Sequence, residues 1–108
     1  MKKTNKKLHE MRAGVLKALA HPIRLAVVEF LKDGEQCVCD IARLDTCDRT
    51  NISKHLSILT NAGIIEGRKA GLRVLYSLKC PRILDFMHCI EDVIKVDLNE
   101  KQALLNRA

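Results

Sequence analysis

The chain has 108 residues, close to the common size of one domain, and 19 lysines and arginines against 13 acidic residues give it a net charge of +6. With Phe30, Tyr76 and Phe86 as its only aromatic residues and no Trp, aliphatic side chains must build the core. Recognition of single strands by aromatic stacking is argued against. No apolar run approaches the ~18 residues of a membrane-spanning helix, and the basic N-terminus leads into a mixed pattern rather than a signal-peptide core, so a cytoplasmic protein without membrane contact is expected.

The positive charge is clustered. Arg68, Lys69, Arg73, Lys79 and Arg82 occur between Gly67 and Leu84 with no acid among them, and Lys2, Lys3, Lys6 and Lys7 lie at the N-terminus. Two basic zones with acids elsewhere point to a polyanion such as nucleic acid. Five cysteines are an odd number, and in a reducing compartment they read as metal-binding or redox-active rather than as a disulfide frame.

The elements follow in chain order, within a single unit expected over residues 1–108. Leu8, Met11, Val15 and Leu19 recur at helical spacing and predict an amphipathic helix from about Asn5 to Leu19. His21-Pro22 breaks it, and Pro22 suits the first turn of a second helix running to about Leu31, ended by Asp33-Gly34. A short helix fits Val38 to Leu44, with Ile41 and Leu44 facing inward. Asp48 can cap a longer helix whose Ile52, Leu56, Leu59 and Gly63 share one face. Its other face carries Thr50, Asn51, Lys54, Ser57 and Asn61, with Ser53 at the edge, and is polar but almost uncharged. From Ile64 to Leu78 the period changes. Ile64-Ile65-Glu66 and Val74-Leu75-Tyr76 flank Arg68-Lys69-Ala70-Gly71 as a β-hairpin. Ile83, Met87, Ile90 and Ile94 then predict a last helix to about Val96. The class is mainly α with a β-hairpin (α+β), in the order α-α-α-α-β-β-α, a winged helix-turn-helix.

At this point the chain resembles the ArsR/SmtB family of metal- and metalloid-responsive repressors. The matching residues run from Ala18-Leu19-Ala20-His21-Pro22-Ile23-Arg24-Leu25 through Cys37-Val38-Cys39-Asp40-Ile41. They continue in Asn51-Ile52-Ser53-Lys54-His55-Leu56, Leu59-x-x-Ala62-Gly63-Ile64-Ile65 and Tyr76-Ser77-Leu78, so the likeness covers roughly residues 10 to 95. It implies a homodimer built on the terminal helices, bound to double-stranded operator DNA without inducer and released by it, with no enzymatic activity and no organic cofactor. Thr50, Asn51, Ser53, Lys54 and His55 fall at the major groove, and Arg68, Lys69 and Arg73 on phosphates or the minor groove. His55 lies between the polar and apolar faces, so a phosphate or packing contact competes with base readout.

Cys37 and Cys39 are the candidate ligands, because soft thiolates select soft metals. Trivalent arsenic (arsenite) is expected first as inducer, then cadmium or lead. Residues two apart on a regular helix point about 200° away from each other. Either Cys37 lies before the first turn, or binding distorts that turn and shifts the recognition helix. Family arsenic sensors carry a further cysteine three residues after the second, where this chain has Ala42. Cys47, about 12 Å beyond Cys39 along an unbroken helix, joins only if the turn folds back. Cys80 and Cys89 lie around the last helix, nine residues apart and on opposite sides if both are helical, and are not expected to share an ion within a chain, while Asp85, His88, Cys89 and Asp92 do not reproduce the family's zinc spacing there. A thiol-based redox or reactive-sulfur-responsive repressor is the alternative. An intact helix over both Cys37 and Cys39 would deny them a disulfide, leaving Cys80 or Cys89 for that role.

Overall fold

The computed structural model describes residues 3–44 and 49–107. Its elements are α1 (Lys3–Leu19), α2 (Pro22–Phe30), β1 (Gln36–Cys37), α3 (Val38–Ile41), α4 (Arg49–Asn61), β2 (Ile65–Ala70), β3 (Arg73–Leu78) and α5 (Ile83–Arg107), with 3₁₀ turns at Leu31–Asp33 and Ala42–Leu44. This is the expected winged helix-turn-helix order. The expected cap Asp48 lies outside the described residues.

Local chemistry sets the boundaries. His21 is the extended N-cap of α2, its Nδ1 accepting the Ile23 amide at 3.1 Å, and Pro22 occupies the first turn, where no amide donor is needed. Gly34, at φ 128°, ends the 3₁₀ turn after α2. After α4 the chain reverses at Gly63, φ 78°, with the Ile64 amide donating to Leu59 O and the Gly63 amide to Thr60 O, both at 3.0 Å. That pairing is a Schellman cap, and it turns the chain directly into β2.

The core is aliphatic, as composition requires. Val27, Val28, Ile41, Ile52 and Leu59 are fully buried, with Leu31, Leu56 and Ile65 almost so. They join α2, α3, α4 and the base of the wing, so the helix-turn-helix and the hairpin share one apolar cluster. Leu44 does not face inward as expected. It lies in the 3₁₀ turn that replaces the last turn of the third helix and is exposed.

The sheet departs from the expected hairpin in two ways. The reversal falls at Gly71-Leu72, because Ala70 pairs with Arg73, and Arg68, Lys69 and Ala70 all lie in β2. Gly71 (φ 65°) supplies the left-handed residue that a two-residue hairpin loop requires. A third strand, β1, pairs antiparallel with β3 through Gln36↔Tyr76 and Cys37↔Leu75, giving the order β1-β3-β2. Two residues are too few to leave a periodicity. The last helix also runs to Arg107, well past the expected Val96, and none of its described residues is buried.

Gly67 stands opposite Tyr76, and a Cβ built on it would lie 2.9 Å from the ring's Cε1. Gly67→Ala must therefore displace the ring. Overpacking of this kind costs about 1–3 kcal/mol, and each kcal/mol lowers the melting temperature of such a domain by roughly 4–8 °C. Thermal denaturation, followed by the fluorescence of the sole tyrosine, checks it. An unchanged melting curve and emission would contradict the packing.

Candidate thiol centre and nucleic-acid interface

Cys37 is the N-cap of α3, with extended φ −78° and ψ 156°, and Cys39 lies in the first turn. Of the two arrangements open to the sequence, the first holds: Cys37 precedes the helix. The expectation that a disulfide is denied to this pair is overturned for the same reason. With Cys37 in the strand, the Cα atoms are 5.4 Å apart and the two cysteines are joined as a disulfide. Their convergence needs no unwinding of α3.

Asp40 completes the group. Its Oδ2 lies 3.5 Å from Cys37 Sγ, and its Oδ1 lies 3.7 Å from the exposed Arg43 guanidinium. A disulfide sulfur has no proton to donate, so the sulfur contact becomes a hydrogen bond only in the dithiol. The donor atoms of Cys37, Cys39 and Asp40 all lie within 4.8 Å of one another, the only such grouping among the described residues. Metal–sulfur bonds of about 2.3 Å place tetrahedral ligands ~3.7 Å apart, so a single ion on this trio requires the Cys37–Cys39 bond reduced and its sulfurs moved apart. Asp40 was not among the ligands expected from the sequence. Its signal was the three-residue spacing from Cys37, which brings the two together across the first turn. Cys47 lies outside the described residues. Cys80 and Cys89 are exposed free thiols, and His88 contacts Glu91 at 3.6 Å rather than a metal-like cluster.

The thiol pair borders a cleft of about 320 Å³ lined by Cys37, Val38, Cys39, Leu72, Arg73 and Val74. The far wall is the wing tip. A ligand on the sulfurs therefore sits between the start of the helix-turn-helix and the hairpin.

On α4, Asn51, Ser53, Lys54, Ser57 and Asn61 are exposed opposite buried Ile52, Leu56 and Leu59, so the polar face is real. Thr50 lies in the helix, with its side chain outside what is described. His55 is half-buried and turned toward packing. Its ring lies 4.4 Å from that of His21, and its Nδ1 is 3.3 Å from an Arg24 nitrogen. Arginine only donates, so Nδ1 accepts and is unprotonated in that contact. Arg24 also donates to Ala18 O at 2.6 Å and Lys17 O at 3.3 Å, closing the end of α1. His55 thus ties the recognition helix to the α1–α2 corner, a packing contact of the kind its position between the two faces allowed.

The wing's basic residues divide. Strand alternation puts Arg68 and Arg73 on one face and Lys69 on the other. Lys69 and Arg73 are exposed. Arg68 is engaged: its Nε and a terminal nitrogen reach the Glu35 carboxylate at 2.6 and 2.9 Å. Hydrogen bonds from Arg68 hold the Glu35 carboxyl below its usual range, and the same bonds raise Arg68. Arg68 is therefore not free for a phosphate in this conformation.

These features define a winged helix-turn-helix regulator, and comparison with known proteins agrees. Residues 21–66 match the model of the bacterial regulatory protein arsR family. An HTH-type transcriptional regulator of Methanocaldococcus jannaschii is 31% identical over 86 residues, spanning 79% of this chain and 97% of the relative. A cadmium resistance transcriptional regulatory protein CadC homolog of Staphylococcus aureus is 42% identical over 67 residues, covering 61% of this chain but 55% of its own. Among solved structures, the homodimeric winged helix-turn-helix DNA-binding domain Mb0332 of Mycobacterium bovis superposes with a TM-score of 0.79 at 27% identity, covering 93% of each chain. The chain belongs to the ArsR family, whose members are transcriptional regulators rather than enzymes. No described helix is long and apolar enough to cross a membrane.

His55→Ala should lower stability by about 1 kcal/mol, or roughly 4–8 °C in melting temperature, while leaving the salt dependence of DNA binding unchanged. Intact stability with a flattened salt dependence would return His55 to the DNA surface.

Proposed function

We propose that this chain is a dimeric, cytoplasmic repressor that leaves double-stranded operator DNA when a soft ion takes Cys37, Cys39 and Asp40. The observation that carries the reading is the two sulfurs and one carboxylate gathered within 4.8 Å at the start of α3, against the wing. Two thiolates select a thiophilic ion, while the harder Asp40 oxygen favours divalent cadmium or lead ahead of arsenite. The cadmium-resistance relative supports cadmium as a candidate. Asn51, Ser53 and Lys54, with Thr50, form the groove-facing surface, and Lys69 and Arg73 meet phosphate. The second copy covers α5 and α1, where Phe86, Ile90, Ile94 and Met11 leave apolar surface exposed.

The test is a cadmium titration of the reduced protein, followed by thiolate-to-metal absorbance and by operator affinity. With Cys80 and Cys89 replaced by serine, the signal should persist. Cys37→Ser or Cys39→Ser should abolish both the absorbance and the release of DNA, whereas Asp40→Ala should weaken binding about 10–100-fold. Operator affinity indifferent to every ion in the wild type refutes the sensor reading.

A second reading is supported by the Cys37–Cys39 disulfide. A hydroperoxide or low-molecular-weight disulfide takes two electrons and two protons from the thiol pair, its O–O or S–S bond breaks to give an alcohol and water or two thiols, and the Cys37–Cys39 S–S bond forms. Those sulfurs are then lost to a metal, so the two inputs exclude each other. Differential alkylation with mass spectrometry should find this pair oxidised by mild treatment, with operator affinity changed and restored by dithiothreitol. Oxidation that leaves affinity untouched rejects it.

A further inference from the structure

Arg68 lies on β2 and Glu35 immediately precedes β1, so their contact spans the middle strand, β3. Arg68, Leu75 and Cys37 occupy one line across the three strands. Glu35, two residues before Cys37, alternates onto the same side. Both partners are substantially exposed, with side-chain accessibilities of 60% for Arg68 and 36% for Glu35. Burial therefore does not lock the pair. What holds it is a two-pronged, charge-assisted contact, the geometry in which a guanidinium also grips a phosphate.

We infer that Glu35 is an internal stand-in for phosphate: it occupies Arg68 and withholds one cation of the wing from DNA. The basic stretch from Gly67 to Leu84 contains no acid, and its countercharge is supplied from a distant segment of sequence. That segment leads directly into β1, which carries Cys37, so whatever moves β1 also sets how available Arg68 is. The inference rests on the reading that the wing meets DNA, and Lys69→Gln serves as the reference for that reading.

The test measures affinity for a mixed-sequence duplex of ~30 base pairs as a function of salt. Each phosphate neutralised contributes about 0.9 to the slope of log affinity against log salt. Lys69→Gln should flatten the slope by about that amount. Arg68→Gln should leave it as in the wild type, because Arg68 is already occupied. Glu35→Gln should steepen it by about 0.9 and tighten binding at low salt, and Glu35→Gln with Arg68→Gln should return to the Arg68→Gln value. Circular dichroism verifies that each variant folds.

If Lys69→Gln has no effect, the wing reading fails and the inference with it. With Lys69→Gln flattened, the inference alone is overturned by any of three results. These are a slope flattened by Arg68→Gln in the wild-type background, a Glu35→Gln slope equal to the wild type, or a Glu35→Gln gain that survives in the double variant. The last would mean a general loss of negative charge rather than the release of Arg68.

Discussion

Two backbone pairings, Gln36↔Tyr76 and Cys37↔Leu75, hold together the parts of this molecule that bear on function. They attach the segment after α2 to the middle strand of the wing. Cys37 is thereby held extended and buried just before α3, while Cys39 lies in that helix's first turn. Without that strand, the two thiols would share a helix and diverge. With it, they converge against the wing tip, and Glu35 comes within reach of Arg68.

The geometry changes how a signal at the thiols can reach DNA. Unwinding α3 is not required to bring the sulfurs together, so strain in the first helical turn is not the natural transmitter. Two contiguous routes leave the site instead. One runs through Ile41, fully buried in the cluster shared with Ile52 and Leu59 of the recognition helix. The other runs through β1 into β3 and the hairpin. Interiors this closely packed transmit small displacements. On the proposed sensor reading, an event at Cys37 and Cys39 thus reaches the recognition helix and the wing at once.

Charge in the wing is organised by pairing as much as by composition. Five basic residues between Gly67 and Leu84 read as a uniform cationic patch along the chain. In three dimensions Arg68 is satisfied by Glu35, Lys69 and Arg73 point to opposite faces, and Arg73 also borders the thiol cleft. The acid-free stretch overstated the free positive charge because its countercharge arrives from 33 residues away. His55 teaches the same lesson on the recognition helix: its position between faces did not reveal the contacts to Arg24 and His21 that the fold supplies.

The sequence by itself determined whatever depends on local periodicity and local chemistry. Spacings of three and four set α1, α4 and the start of α5, Pro22 and Gly34 marked the limits of the second helix, and the change to β-prone residues after Gly63 revealed the hairpin. The adjacent thiols at Cys37 and Cys39, and the motifs around them, indicated an ArsR-type regulator before any contact was known. Only the tertiary structure decided what depends on partners far apart in the chain. Strand β1 is two residues long and exists only because β3 lies beside it. The reversal at Gly71-Leu72 follows from register, and the length of α5 follows from helix continuation beyond any clear break. The approach of Asp40 to Cys37, the disulfide and the Glu35–Arg68 contact all follow from where those elements are held. Local rules describe which conformations a segment prefers. Long-range packing and pairing decide which of those preferences place a thiol, a carboxylate or a guanidinium at the same point.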